Sequence, residues 1–238
     1  LGFNMIRKHI KIEPARWYMH CDREGILVWQ DLPSPNLPSG YEDYAKKNFE
    51  DESKRIITAF RNHPSIIQWV VFNEGWGQFD TERMTQIVIG EVGQSLVCCA
   101  SGWVDAPIGD IKDSHSYPNP SCPLDETRAG VCGEYGGITL KVQGHIWPGG
   151  DFQYTTVETG KDFTVLFNNL ADKVIDHYYY GLNAAVYTQL SDVEIEKNGI
   201  YTYDRRVLKP YSATGELKTK IEECINPVSY THLTLPTK

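Results

Sequence analysis

Ile66-Ile-Gln-Trp-Val-Val-Phe-Asn-Glu-Gly-Trp76 is an apolar run short enough for a buried strand, and it delivers a carboxylate, Glu74, to a Gly-containing turn. A second short run, Ala129-Gly-Val-Cys132, leads into Gly133-Glu-Tyr-Gly-Gly137 and delivers Glu134 in the same way. In a barrel of parallel strands, the end of each strand is the rim where side chains distant in sequence converge. Two carboxylates meeting there are what cleavage of a glycosidic bond requires. One donates a proton to the leaving oxygen; the other attacks the anomeric carbon or activates water.

Outward from that run, strand-like and helix-like segments alternate. Residues 3–7 read as a short strand. Pro14 suits the first turn of a helix whose Trp17, Tyr18 and Cys21 share a face, and Gly25 closes it. Residues 26–29 read as a second strand, and 41–62 as an amphipathic helix with Tyr41, Ala45, Phe49, Ile56 and Phe60 at helical spacing. A helix is expected over 81–94, capped by Asp80, with Met84, Ile87, Val88 and Val92 inward. Residues 96–100, 111–117 and 129–132 read as further strands, and 136–160 as a long Gly-rich loop, the wall or lid of a site. A helix over 163–180 and a strand over 182–188 follow. The alternation predicts an α/β fold with a parallel sheet: a (β/α)8 TIM barrel, incomplete, with its first strand and helix lying outside this chain. The expected division is a barrel domain over 1–206, a C-terminal extension over 207–226 and a non-native tail over 227–238, which reads like translated adapter sequence.

Composition narrows the partners. Apolar residues make up 41% of the chain and aromatics 12%, enough for a substantial core and rich in rings that also stack on sugars. A net charge of −8 without a Lys/Arg cluster argues against nucleic acid and anionic membrane surfaces. No apolar run approaches the roughly 20 residues of a membrane span. Cys21, Cys98, Cys99, Cys122, Cys132 and Cys224 include no C-x-x-C pair, which argues against a zinc or redox motif, and reduced thiols are expected.

Gly2-Phe-Asn-Met-Ile-Arg-Lys-His9, Cys21-Asp-Arg-Glu-Gly-Ile-Leu-Val28, His63-Pro-Ser-Ile66, Phe72-Asn-Glu-Gly-Trp76 and Gly133-Glu-Tyr-Gly-Gly137 together resemble the catalytic barrel of glycoside hydrolase family 2, which holds β-galactosidases, β-glucuronidases and β-mannosidases. The resemblance implies that Glu74 is the acid/base and Glu134 the nucleophile of a retaining β-glycosidase acting on β-galactosides or similar glycans. It also implies N-terminal β-sandwich domains in the full-length chain. No cofactor or metal is expected, because no ligand cluster stands out.

Around that pair, physical reasoning assigns further roles. Glu74 has to hold its proton near neutral pH, and a nearby anionic Glu134 would raise its pKa. Glu134 has to stay ionised, which makes Arg7 its candidate cation. Asn73 is placed to bind a sugar 2-hydroxyl. Asp113, His115 and Tyr117 alternate, so one strand would point all three to one face; His115 and Tyr117 would then line the site, and the resemblance implies that Tyr117 hydrogen-bonds the nucleophile. Trp76 and Trp147 are candidate sugar platforms, and Asp31, just past a strand end, a candidate for sugar hydroxyls or a turn cap.

The family pattern is not complete. Arg7-Lys-His9-Ile replaces Arg-x-x-His-Tyr-Pro, the last strand lacks its usual Trp and offers Tyr187 and Gln189, and no Asn-x-Lys triplet marks a uronate reader. Two other classes compete: a non-catalytic carbohydrate-binding barrel, and a lyase or aldolase. The latter would need a Schiff-base lysine, and Lys8 and Lys112 fall out of phase with the polar faces.

Overall fold

A computed structural model of the chain describes residues 1–34, 42–210 and 214–226. The chain divides into two compact units, the first of Asn4–His115 and Pro123–Gly133, the second of Leu1–Phe3, Ser116–Cys122 and Glu134–Lys238.

In the first unit, β1 (Met5–Lys8), β2 (Leu27–Asp31), β3 (Ile66–Asn73) and β4 (Leu96–Ser101) lie side by side in sequence order, every pairing parallel. The helices α1 (Ala15–Glu24), α2 (Asp43–Phe60) and α3 (Thr81–Val92) connect them. A doubly wound sheet reverses its strand order at a switch point; these four strands do not. β2 is longer than its apolar stretch suggested. Gln30 and Asp31 remain in register with Trp69 and Val70, so Asp31 belongs to the strand rather than to the loop after it.

Helix faces account for the core. Tyr18, Ile57, Met84 and Val88 close over Trp69, Val71 and Phe72 of β3. Phe72 stacks on Phe49 at 5.6 Å and meets Phe79 edge-on at 5.5 Å. On α2 the buried centre is Phe49, Ser53 and Ile57, and the expected Ile56 and Phe60 pack half-buried against the same core. Ser53 is tolerated there because its hydroxyl donates back to the Phe49 carbonyl at 2.7 Å. Tyr41, expected on this face, lies outside the described residues. Asp80 precedes α3 without a side-chain capping bond. Its carboxylate instead lies 3.5 Å from Arg83.

β5 (Ile111–His115) ends before Tyr117, so only Asp113 and His115 of the expected trio share a strand. Pro118 follows Tyr117 and offers no ladder N–H. β6 (Ala129–Gly136) runs past its apolar stretch, placing Glu134 within a strand instead of in a turn.

In the second unit, the expected loop over 136–160 contains two short parallel strands, β7 (Ile138–Thr139) and β8 (Thr155–Thr156). α4 (Gly160–Tyr178) begins with the Thr159 side chain accepting from the Asp162 amide and buries Phe163, Phe167, Leu170 and Ala171. β9 (Ala184–Thr188) follows. The segment read as an extension holds a helix, α5 (Thr214–Ile225), whose Cys224 thiol donates to the Ala171 carbonyl of α4 at 3.5 Å. A buried ion pair, Lys209 to Asp192 at 2.5 Å, ties the intervening segment together. The expected tail lies outside the described residues. All six cysteines are free, and no described helix is long and apolar enough to cross a membrane.

Phe72→Ala removes a ring that is 1% exposed and is expected to destabilise the protein by about 3–5 kcal/mol. Tyr44→Ala, at a position 75% exposed, should stay within about 0.5 kcal/mol of the parent. Denaturant titration of both variants checks the pair.

Candidate functional site

The first unit carries an acid group set into a polar network. Asn73 ends β3, and Glu74 follows with φ 55°, in the left-handed region that side chains rarely enter. Its amide is held by the Ser101 carbonyl at 2.8 Å. The Glu74 side chain is 17% exposed, and its Oε1 lies 2.8 Å from Nδ1 of a fully buried His115. Gly102 makes that approach possible. It has φ 102°, and a Cβ there would lie 2.9 Å from His115 Nδ1 and 3.2 Å from Glu74 Cγ.

Beneath this pair, Arg7 of β1 grips Asp31 of β2 with two nitrogens, at 2.8 and 3.2 Å. It also donates to Asn73 Oδ1 of β3 at 2.7 Å and to the Gly133 carbonyl at 3.2 Å. Asp31 is 1% exposed, and its Oδ2 also accepts the Ile10 amide at 3.2 Å. Asp31 is thus a buried strand residue partnered by Arg7, rather than the residue past a strand end that was expected. The Arg7 bond also orients the Asn73 amide: the oxygen is taken, and the NH2 is the group left to donate.

Burial pushes the Glu74 carboxyl above its ordinary range, while the charges of His9 and Arg7 pull the other way. Desolvation, rather than the like charge expected from sequence, is the leading cause.

The second unit carries Glu134. Its Oε2 accepts the Tyr117 phenol at 2.6 Å. Thr188 Oγ1 lies 3.0 Å from the same phenol oxygen, and because the single phenol proton goes to Glu134, the threonine hydroxyl donates. Burial first, then the Glu134 charge, drives the Tyr117 pKa far up, so it remains a donor. Tyr154 stacks flat on Tyr117 with ring centroids 3.7 Å apart. Gly137 leaves room for that stack, since a Cβ there would lie 2.5 Å from Tyr154 and 3.0 Å from Tyr117.

Of the candidate platforms, Trp76 is 37% exposed in the turn after Glu74, and Trp147 is 43% exposed. Trp147 meets Tyr203 edge-on at 5.3 Å. Lys8 pairs with Glu13 at 2.6 Å and Lys112 lies 3.9 Å from Asp125, so both are engaged in ion pairs. Sequence reasoning missed Ser101, Thr188 and Tyr154. Ser101 left one trace, a hydroxyl ending the apolar run Leu96-Val-Cys-Cys-Ala-Ser101; Tyr154 left none, because its role depends on how the 136–160 segment folds back.

The raised pKa of Glu74 has a consequence for stability. A carboxyl whose folded pKa exceeds its unfolded value contributes stability that is fully present below the unfolded value and lost as pH rises through the folded one. Glu74→Gln does not titrate, so its melting temperature should gain on the parent as pH climbs from 4.5 through that window. A difference independent of pH, read by thermal melts across the range, would contradict the burial of this carboxyl.

No protein-family model matches the chain. A stretch of 78 residues is 36% identical to a Formosa agariphila protein provisionally named a β-glucuronidase, covering 31% of this chain and 8% of that one. Another of 75 residues is 32% identical to β-mannosidase B of Emericella nidulans, covering 31% of this chain and 9% of the relative. Among solved structures, the GH2 β-galacturonidase from Eisenbergiella tayi bound to galacturonate superposes with a TM-score of 0.69 at 17% identity, over 93% of this chain and 45% of its own. The matches thus span under a tenth of these curated relatives and under half of the solved chain. In local sequence the chain is similar to named β-glycosidases, and in fold to a GH2 enzyme.

Proposed function

We propose that this chain carries the catalytic (β/α)8 barrel of a retaining β-glycosidase, with Glu74 as acid/base and Glu134 as nucleophile serving one substrate. The observation that carries the reading is the state of Glu74: a carboxyl at the end of a parallel strand, withdrawn from water, hydrogen-bonded to His115 and raised in pKa by burial. A general acid in this reaction needs that condition, and a surface carboxylate does not have it. The sequential winding of β1 to β4 supports the barrel.

In the first step Glu74 protonates the leaving oxygen while Glu134 attacks the anomeric carbon, forming a glycosyl ester. In the second, Glu74 takes a proton from water, and the water releases the sugar from Glu134 with net retention. The Tyr117 phenol donates to Glu134, which holds the nucleophile in place. The Asn73 NH2 is the donor suited to the sugar 2-hydroxyl, and the exposed indole of Trp76 is suited to stacking on a sugar ring.

The glycone expected from the sequence, a β-galactoside, is less well supported than the alternatives. The relatives are named for glucuronides, mannosides and galacturonides. A β-glucuronide or β-mannoside is therefore the substrate class this reading favours.

A panel of aryl β-glycosides offered to the full chain tests both activity and glycone. On the sugar that is turned over, Glu134→Ala should abolish hydrolysis, and azide should restore turnover to the inverted glycosyl azide. Glu74→Ala should slow substrates with poor leaving groups by roughly 10²–10⁴-fold while sparing dinitrophenyl glycosides, which leave without a proton. If Glu134→Ala spared the activated substrate and azide rescued Glu74→Ala instead, the two roles would be reversed.

A further inference from the structure

Behind Glu74 a line of hydrogen bonds runs inward through side chains that the proposed chemistry does not use. Asp113 on β5 is 4% exposed. Its Oδ1 accepts the Gly133 amide at 2.6 Å, and its Oδ2 accepts the Ser101 hydroxyl at 2.5 Å. Ser101, the last residue of β4, is completely buried, and its Oγ lies 2.7 Å from His115 Nε2. His115 Nδ1 then reaches Glu74 Oε1 at 2.8 Å.

Counting protons along this line fixes its direction. The single Ser101 proton goes to Asp113 Oδ2, so the serine oxygen offers His115 a lone pair. Nε2 therefore carries a hydrogen. Arg7 Nη1 lies 3.4 Å from the same nitrogen, a far longer contact than the 2.7 Å to Ser101, which needs a hydrogen between its atoms. A neutral imidazole with hydrogen on Nε2 has a bare lone pair on Nδ1. The proton between Nδ1 and Oε1 then belongs to Glu74.

We propose that Asp113 and Ser101 are positioning residues that hold His115 in its Nε2–H tautomer, so that Nδ1 accepts from the Glu74 carboxyl and keeps the general acid protonated and aimed. The proposal rests on the reading of Glu74 as acid/base. Around Glu74, the cationic Arg7 and any charge on His9 favour the carboxylate; the bond to Nδ1 and burial favour the acid. When Glu74 protonates the leaving oxygen, its bond to Nδ1 breaks and the carboxylate is left facing a lone pair. That repulsion strengthens it as the base that takes a proton from water in the second step, and the hydrogen bond re-forms.

Asp113→Asn in the full chain tests this directly. The Gly133 amide requires the Asn oxygen on its side, which puts the Asn NH2 against Ser101. Ser101 then donates to Nε2, the tautomer flips, and Nδ1–H donates to Glu74, stabilising its ionised form. The alkaline limb of kcat/KM should move toward acid by about one pH unit, equivalent to a tenfold change in protonation equilibrium. At pH values above the shifted limb, kcat/KM for the methyl β-glycoside should fall about tenfold. The 2,4-dinitrophenyl β-glycoside of the same sugar should keep its rate, which also shows that the variant is folded. Ser101→Ala, a milder change, should move the limb in the same direction by less. If the parent cleaved no glycoside in the panel, the catalytic reading itself would fail. An active parent whose variants kept its alkaline limb, or lost both substrates equally in Ser101→Ala as well, would overturn the positioning role alone.

Discussion

Withdrawing the Glu74 carboxyl from water at the end of β3 is the constraint that organises the first unit. Removing a carboxyl from water disfavours its charged form, and the group either neutralises or finds partners. Here it does both, with a raised pKa and a bond to His115. The surrounding backbone adapts to it: Glu74 adopts a left-handed conformation, and β4 turns away at a glycine because a side chain there would strike both members of the pair. Strain of this kind costs of order 1–3 kcal/mol per residue and persists only where the surroundings enforce it.

The same logic explains the charged groups beneath. Arg7 and Asp31 have side chains 2% and 1% exposed, and an unpaired charge so placed would be strongly destabilising. The guanidinium resolves this by linking three adjacent strands, taking Asp31 on β2 and Asn73 on β3 from its own place on β1. Orientation of the Asn73 amide and cohesion of the sheet thus depend on one network. The second unit repeats the pattern on a smaller scale. Glu134 is met by a phenol that is itself fixed by a threonine hydroxyl and a stacked ring.

Much of this was legible from sequence because it lay in local pattern. The run into Glu74 gave β3 within one residue, and Pro14 and Gly25 bracketed α1. The errors came from interactions that local pattern does not encode. β2 extends beyond its apolar stretch because β3 continues to pair with it, which moved Asp31 onto a strand, and β6 likewise runs on through Glu134. On α2, Ser53 joins the buried face although polar by type, because its hydroxyl is satisfied within the helix. Asp113 was legible as an inward residue, but its link to Ser101 joins two strands and has no signature in either. No single motif in the chain determined the sugar, because the residues that read it are scattered over several loops.

The central claim is that Glu134 forms a covalent bond to sugar while Glu74 handles the proton. Incubating the full chain with 2-deoxy-2-fluoro β-glycosyl fluorides, followed by peptide mapping, tests it most directly, because the 2-fluorine slows both formation and breakdown of the glycosyl ester and the fluoride leaving group restores only the formation. The account predicts one sugar attached per chain, on the peptide containing Gly133-Glu-Tyr-Gly-Gly137, with the ester at Glu134. A stable adduct on Glu74 or on another carboxylate, or hydrolysis with inversion and no adduct, would contradict it.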